Sequence, residues 1–364
     1  MEMKHLNFEF DERVECAETL PARFYNDTAI LELEKRKIFY RTWQLVGRLE
    51  QVREPGSYFT AGVADESVII ARDRAGALRA FSNVCRHRAG PVAQGAGCRS
   101  AFQCGYHGWT YALDGHLIGT PEFDGVAGFN KDEMGLIPIK VETWEQFIFV
   151  NLDRGSPPLT SFLEDIPALT HHNRIAEMAW VERRDYVIAC NWKVYVDNYA
   201  EGYHIPIIHP SLMREIDYAR YRTVTHRYYS LQSGPLKPRS SSDAAGRRYA
   251  PSAEQAEAWY IWVFPNLMLN IYPDNLSTNL IVPLSEDRTL TIFEWFFHDP
   301  QSEPVEENIR QSVEFSDAVQ QEDIAICEAV QRGLRSTFYD RGRYSVKREN
   351  GVHHFHSLWR EFFF

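Results

Sequence analysis

Two cysteine–histidine pairs constrain the fold of this chain more than any other feature of its sequence. Cys85-x-His87 and Cys104-x-x-His107 are separated by sixteen residues, and each pair offers one thiolate and one imidazole from a glycine-rich stretch. Thiolates and imidazoles are common protein ligands of zinc and of iron–sulfur clusters. We therefore expect the two loops to meet at one metal centre.

The order of the ligand types separates two kinds of centre. A zinc finger usually pairs Cys with Cys and His with His, on a hairpin and a helix. Here the two types alternate, and both arms are loops. A Rieske [2Fe–2S] cluster needs two Cys on one iron and two His on the other. Cys85, His87, Cys104 and His107 therefore predict a Rieske cluster.

The residues around these pairs have the pattern of a compact β domain. From about 46 to 152 the chain carries short apolar runs such as SYFTAGV, ESVIIARD and EQFIFVNL, which are typical of strands. The dipeptide Asp114-Gly115 is typical of a hairpin turn. Residues 21 to 45 have a helical pattern, and 153–167 have the proline, glycine and serine content of a linker.

A second constellation lies at residues 197–209, which read DNYAEGYHIPIIH. On a helix, Glu201 and His204 would share a face. Pro206 cannot continue that helix, so His209 would fall just past the break and could return beside His204. Two histidines plus a carboxylate is the ligand pattern of non-haem Fe(II) that handles O₂. These residues alone leave open a helix whose histidines only cap or hydrogen-bond.

The two constellations, in this order, resemble the oxygenase α-subunits of Rieske non-haem iron oxygenases. In that family the position three residues before the first iron histidine is usually Asp, whereas this chain has Glu201. This departure and the run NWKVYVDNYAEGYH at 191–204 resemble the subgroup that acts on quaternary ammonium compounds, the choline, glycine betaine and carnitine monooxygenases.

The resemblance implies an α+β architecture with two domains. The first is an N-terminal all-β Rieske [2Fe–2S] domain. The second is a helix-grip (START/SRPBCC-like) catalytic domain, in which a twisted antiparallel sheet curls around a long C-terminal helix and holds a mononuclear Fe(II). We expect residues 1–45 to be a helical segment that packs on the catalytic domain, 46–155 to be the Rieske domain and 156–364 to be the catalytic domain.

The resemblance also implies how the centres cooperate. A separate NAD(P)H-dependent reductase, with flavin and its own iron–sulfur cluster, would reduce the Rieske cluster, because this chain has no dinucleotide-binding fingerprint of its own. A cyclic, head-to-tail homotrimer would bring one subunit's cluster beside its neighbour's iron. Glu201 would then bridge the interface, bonded to His204 and to a neighbour's cluster histidine, with His107 as the candidate.

The third iron ligand is expected on a helix at 304–333. On this helix Ile309, Val319, Ile326, Cys327 and Val330 fall on one apolar stripe. Asp323 lies in the middle of that stripe, where a carboxylate is costly unless a cation or strong donors satisfy it. The family's C-terminal helix carboxylate matches this position, and an Asp323 paired with a buried Arg or hydroxyls is the alternative. Glu322 points about 100° away, so we expect its loss to matter little.

The substrate is the least determined feature. Aromatic faces bind trimethylammonium groups through cation–π contacts, and Tyr260, Trp262, Phe264 and Tyr272, with Asn198, are candidates for the pocket. The same rings can equally be sheet core, and the polar segment 234–255 is either a lid or a surface excursion. We expect hydroxylation or N-demethylation of a small quaternary or tertiary amine such as a betaine, choline or carnitine-like compound. The alternative is an aromatic-ring-hydroxylating dioxygenase α-subunit.

Charge and hydropathy argue against several other classes of protein. A net charge of −11 and a pI near 5.7 argue against nucleic-acid and anionic-membrane partners. No signal peptide or spanning segment is visible, so we expect a cytoplasmic protein. Six cysteines in such a chain suggest metal ligands and packed thiols rather than disulfides.

Overall fold

The computed structural model describes residues 8–237, 257–300 and 303–364. Its contacts divide the chain into two compact units. One is Lys35–Phe162, and the other combines the residues through Glu34 with Leu163–Phe364. The first boundary thus lies earlier than residue 45. Most of the segment 234–255, the candidate lid, falls outside the described residues, and no helix among those described is long and apolar enough to cross a membrane.

The N-terminal helical segment is shorter than its sequence pattern predicts. It consists of α1 (Arg23–Asn26), α2 (Thr28–Glu34) and a π-helical turn at Lys35–Phe39. The chain then enters β1 (Gln44–Arg48), which pairs with a later strand and sets Leu45 opposite Phe149. Pairing between distant strands overrides the local helical pattern at this end.

The unit Lys35–Phe162 is built of three small antiparallel sheets. The first has the order β4-β3-β2-β5, with β2 (Ser57–Val63), β3 (Glu66–Arg72), β4 (Leu78–Ser82) and β5 (Ala96–Cys98). The second joins β6 (Phe102–Gln103), β7 (Thr110–Tyr111) and β8 (Leu117–Gly119), and the third joins β1, β10 (Phe147–Asn151) and β9 (Lys140–Trp144). The predicted turn between β7 and β8 is present, with Gly115 at φ +94°, a conformation that glycine adopts without strain. The predicted all-β unit is confirmed.

The second unit contains a seven-stranded antiparallel sheet of order β11-β17-β16-β15-β14-β13-β12. Its strands are β11 (Ala179–Ile188), β12 (Arg222–Thr225), β13 (Tyr229–Pro235), β14 (Glu257–Val263), β15 (Leu267–Ile271), β16 (Asn275–Ser285) and β17 (Arg288–Phe297). Sequence reasoning missed β11, because most of its side chains are exposed or half-buried and it lacks an apolar face.

Among the described residues, seven further α-helices follow α1 and α2. They are α3 (Leu159–Leu163), α4 (Ile166–Leu169), α5 (Trp192–Tyr199), α6 (Ile205–Ile208), α7 (Pro210–Glu215), α8 (Glu303–Leu334) and α9 (Asn350–Phe363). The long helix predicted at 304–333 is therefore confirmed as α8, and with it the antiparallel sheet around a long helix. Its buried side includes Ile309, Val313 and Cys327. Val330, which was expected on this side, is exposed.

Helix α5 is anchored from behind by a fully buried ion pair. Lys193 Nζ lies 2.6 Å from Glu34 Oε1, and neither side chain is exposed at all. The indole N–H groups of Trp192 and Trp359 also donate to Glu34, at 2.8 and 2.6 Å. A buried ion pair is tolerated when its remaining hydrogen-bonding capacity is used in this way.

A second buried cluster holds the next turn of α5. Asp197 accepts a hydrogen bond from Tyr25 Oη at 2.7 Å and lies 2.8 Å from His356 Nε2. Tyr344 Oη lies 2.6 Å from the other ring nitrogen of His356. Together the two clusters clamp one face of α5 against α1, α2 and α9. The adjacent residue, Asn198, faces the site described next.

Candidate metal centres

The two cysteine–histidine loops have the local geometry that a cluster site requires. Cys85 and Cys104 are both 3% exposed. The Cys85 amide donates to Gly90 O at 2.8 Å, and the Cys104 amide donates to Trp109 O at 2.9 Å. Each loop is thus closed behind its thiol by a backbone bond, and the hydroxyl of Tyr111 lies 3.2 Å from Cys85 Sγ.

The two histidines meet beside these thiols. The rings of His87 and His107 are 4.6 Å apart, and His87 stacks on Trp109 at 4.9 Å. His87 Nδ1 is buried and has no hydrogen-bond partner among the described residues. A buried nitrogen without a partner is costly, and a metal would satisfy it. Desolvation, and then the neighbouring His87 and Arg88, lower the pKa of His107, which favours the neutral ring that a metal needs. The donor set fits a Rieske cluster.

The second centre joins three side chains from different elements. His209 Nε2 lies 3.1 Å from His204 Nε2 and 3.0 Å from Asp323 Oδ1, and His204 Nε2 lies 3.8 Å from the same oxygen. Two ligand atoms that each lie about 2.1 Å from one ion can be at most about 4.2 Å apart, and all three distances are within that limit. The ligand atoms of these three residues all lie within 4.8 Å of one another, close enough to hold one metal ion. Their donor set fits a two-histidine, one-carboxylate iron site.

Two residues that support this triad had not been identified from the sequence as its partners. Glu322 Oε2 lies 2.7 Å from His209 Nδ1, and Asn198 Nδ2 donates to Asp323 Oδ1 at 2.7 Å. The expectation that Glu322 has little effect is therefore not supported, because it holds the ring of an iron-site histidine. Burial alone would lower the pKa of His209, but bonds and charges from Asp323 and then Glu322 raise it overall. The angle of 100° per residue shows on which side of the helix Glu322 projects, but it cannot show that His209 lies on that side.

The backbone around Glu201 differs from the expected helix. Helix α5 ends at Tyr199, and Glu201 lies in the bend before α6. Its Oε1 is 2.7 Å from His204 Nδ1, and its Oε2 accepts from the backbone amides of Tyr203 and His204. Glu201 therefore orients the His204 ring and also holds the bend itself, a local carboxylate–amide contact that competes with helix formation.

Pro206 plays the opposite part to the one expected. It lies in the first turn of α6 and so begins a helix instead of ending one. His209 then occupies the junction of α6 and α7, and it is 1% exposed. Two short helices, and not one broken helix, bring the two histidines together.

A cavity of about 500 Å³ opens at this triad. Of the predicted pocket residues, Asn198, Tyr260 and Tyr272 line it, and the hydroxyls of the two tyrosines are 2.9 Å apart. Part of its wall is polar and includes Asn270, Ser277 and Asn279. Asn270 Nδ2 donates to Ser277 Oγ and to Asn279 Oδ1, each at 3.1 Å.

The other two predicted pocket residues, Trp262 and Phe264, do not line the cavity, so that expectation is wrong. Trp262 shares a strand face with Tyr260 but lies one repeat farther along β14. There its ring packs on Phe355 of α9 at 5.3 Å, and Phe264 packs on Phe362 at 4.9 Å. The last helix covers this part of the sheet, which strand alternation alone cannot reveal.

Comparison with known families accounts for both centres. Residues 42–130 match the Rieske [2Fe-2S] domain, and residues 175–363 match the catalytic domain of the ring-hydroxylating alpha subunit. The first match contains all four candidate cluster ligands, and the second contains the complete histidine–aspartate triad.

Relatives align over nearly the whole chain. The chloroplastic choline monooxygenase of Arabidopsis thaliana is 36% identical, over 96% of this chain and 84% of its own length. The carnitine monooxygenase oxygenase subunit of Escherichia coli (strain K12) is 31% identical, over 95% of this chain and 94% of its own.

Solved structures agree. A quaternary ammonium Rieske monooxygenase involved in carnitine oxidation by gut microbiota superposes with a TM-score of 0.85 at 28% identity, over 97% of this chain and 99% of its own. Naphthalene 1,2-dioxygenase from Rhodococcus, at 21% identity and a TM-score of 0.79, covers 95% of this chain and 94% of its own and shares the fold.

Proposed function

The chain belongs to the family of Rieske oxygenase α-subunits, and from that membership we propose that it oxidises a small quaternary or tertiary amine at a C–H bond beside nitrogen. It is an O₂-dependent oxidoreductase with a Rieske [2Fe–2S] cluster and a mononuclear iron, and it works with a separate reductase. Hydroxylation beside nitrogen gives a hemiaminal, which collapses to an aldehyde and an amine. Its relatives that oxidise choline and carnitine support this substrate class.

The polarity of the cavity carries the proposal. Its wall includes many side chains with hydroxyl or amide groups, namely Tyr195, Asn198, Tyr199, Ser211, Tyr221, Gln232, Tyr260, Asn270, Tyr272, Asn275, Ser277, Asn279, Ser312, Ser316 and Gln320. Several of these groups pair with one another, as Tyr195 does with Gln320 and Tyr221 with Gln232, but a hydrocarbon could form no hydrogen bond with those that remain open to the cavity. A small polar cation gains from the same wall, because tyrosine faces attract an ammonium group. This favours an amine over a flat aromatic substrate.

We assign the roles of the site residues as follows. Cys85, His87, Cys104 and His107 hold the cluster, and His204, His209 and Asp323 hold the iron, which when bound supplies the O₂ chemistry. Tyr260 and Tyr272 orient the ammonium group. Glu201 holds the His204 ring through Nδ1 and carries the link to the cluster of a neighbouring subunit in a cyclic trimer. The reductase that this scheme needs carries flavin and an iron–sulfur cluster.

A single-turnover experiment tests the proposed function without the natural reductase. The protein loaded with both metal centres is reduced chemically under anaerobic conditions and mixed with O₂ and one candidate substrate. Products are then measured by mass spectrometry for choline, glycine betaine, carnitine and 4-(trimethylammonio)butanoate, with benzoate and naphthalene for comparison. We expect oxidised product from at least one trimethylammonium compound and none from the aromatic compounds.

Two results contradict the proposal. One is oxidation of the aromatic compounds alone, which would make the chain an aromatic-ring dioxygenase. The other is product formation at the wild-type level by Asp323→Ala, which would place the chemistry outside the assigned iron site.

A further inference from the structure

One residue gives the cavity a fixed positive charge. Among the described residues that line it, Arg214 is the one arginine or lysine. Its guanidinium is exposed and forms no hydrogen bond or ion pair with any part of the chain that the structure describes. An arginine fork matches a carboxylate bidentately, so an arginine without a partner at the edge of a substrate cavity is a ready site for an anionic group.

Two of the three carboxylates among the described residues that line the cavity belong to the metal triad or its immediate support. Glu201 is engaged with His204, and Asp323 is engaged with His209 and Asn198. Both lie at the iron end of the cavity. Glu215, the neighbour of Arg214, also lines the cavity. The wall thus combines carboxylates near the reactive centre with an arginine outside that cluster.

The position of Arg214 relative to the iron site follows from α7. His209 is the N-cap of this helix, and Arg214 lies in its last turn. Five residues at 1.5 Å per residue separate the two by roughly 7 Å along the helix axis. A substrate whose C–H bond beside nitrogen lies at the iron must direct the rest of its chain away from it, and Arg214 lies on the wall of the same cavity, about one and a half helical turns beyond His209.

We propose that Arg214 binds the carboxylate of the substrate, so that the preferred substrate is a trimethylammonium compound that also carries a carboxylate. This inference rests on the proposed function and narrows it to zwitterionic amines. Such a molecule finds a partner in the cavity for each of its charges, with its cation at the tyrosine faces and its anion at Arg214. An amino alcohol such as choline would meet the same cation site but leave the arginine without a partner.

The test compares ligands that differ in one charge. The protein with both metal centres loaded is titrated anaerobically, by isothermal calorimetry, with 4-(trimethylammonio)butanoate and with its primary amide. We expect the wild type to bind the carboxylate about tenfold more tightly than the amide. This is the lower end of the range for a charge-assisted bond, because Arg214 is exposed.

Variants assign this preference to one side chain. Arg214→Gln should bind both ligands equally, because only its affinity for the carboxylate falls. Arg214→Lys keeps the charge but not the forked guanidinium, so it should keep part of the preference for the carboxylate. Arg220→Gln is the matched control, since Arg220 is an exposed arginine that does not line the cavity. It should retain the full preference. Thermal unfolding should be similar in all four proteins, which excludes a role of Arg214 in merely stabilising the end of α7.

The outcomes separate the inference from the proposed function. Equal binding of the two ligands by the wild type, or an unchanged preference in Arg214→Gln, overturns the carboxylate site. If choline is still oxidised in single turnover in that case, the proposed function stands. If no trimethylammonium compound is bound or oxidised by the protein with both centres loaded, the proposed function and the inference both fall.

Discussion

Replacing Glu322 by Ala should weaken iron binding although Glu322 is not a ligand. The carboxylate lies 2.7 Å from His209 Nδ1, on the side of the ring opposite the nitrogen that faces Asp323. It fixes which nitrogen carries the proton and which way the ring points. Removing such a partner of a metal-bound histidine typically costs 10–100-fold in affinity. The Glu322 side chain is 36% exposed, so solvent weakens the contact, and we expect about tenfold.

The assay is an anaerobic Fe(II) titration of the apo-protein against a competing chelator. Glu322→Gln keeps an acceptor oxygen and should lose less affinity than Glu322→Ala, whereas Asp323→Ala removes a ligand and should lose more than either. Glu314→Ala is the control, because Glu314 lies on the same helix but pairs with Arg310. An affinity of Glu322→Ala within twofold of the wild type would refute the reasoning, and so would a loss as large as that of Asp323→Ala.

Three further predictions address the rest of the molecule. Glu201→Gln should keep both metals and allow normal chemical reduction of the cluster, yet block its reoxidation by substrate and O₂ in stopped-flow absorbance; reoxidation at the wild-type rate would rule out a bridging role. Lys193→Met should destabilise the catalytic unit by roughly 3–5 kcal/mol in urea unfolding, because the buried partner carboxylate loses its counter-charge; a loss below about 1 kcal/mol would mean that this carboxylate is neutral. Burial of Asp73 opposes its ionisation, but bonds from Arg79 and the backbone hold the pKa of this carboxyl below its usual range. The resulting stabilisation is therefore present above the unfolded-state pKa and is lost as the pH falls through the lower folded-state value. At pH 7, Asp73→Asn should accordingly lose its visible cluster absorbance at a lower urea concentration than the wild type. The difference between the two urea midpoints should narrow below about pH 4, and a difference that does not depend on pH would contradict this.

The sequence was most informative where the chemistry is encoded by close spacing. The alternation of Cys and His in two short loops predicts the cluster ligands, because few other centres use that order. Asp323 emerged from a different kind of signal, a charged residue within the apolar stripe of a long helix. The structure brings it within 3.0 Å of His209 Nε2, although 113 residues separate the two in the chain.

Sequence reasoning was less informative where tertiary packing decides the structure. The bend at Glu201 depends on where its carboxylate finds amide donors, and the contact of Glu322 depends on how α7 meets α8. Likewise Tyr260 and Trp262 lie on the same face of β14. Only the position of α9 explains why Tyr260 lines the cavity whereas Trp262 is part of the core. These outcomes depend on partners distant in sequence, so no local pattern contains them.

The clamp on α5 has a consequence for biosynthesis. Tyr25 meets His356 across 331 residues of chain, and Glu34 meets Trp359 across 325. At the usual ribosomal rate of about 5–20 residues per second, the first members of these pairs wait roughly 15 to 70 s for the second. The Rieske unit Lys35–Phe162 is continuous in sequence and emerges whole within that interval. Its cluster can therefore be assembled on the nascent chain, whereas α5, which carries one side of the iron pocket, is fully held only after residues up to Trp359 have been synthesised.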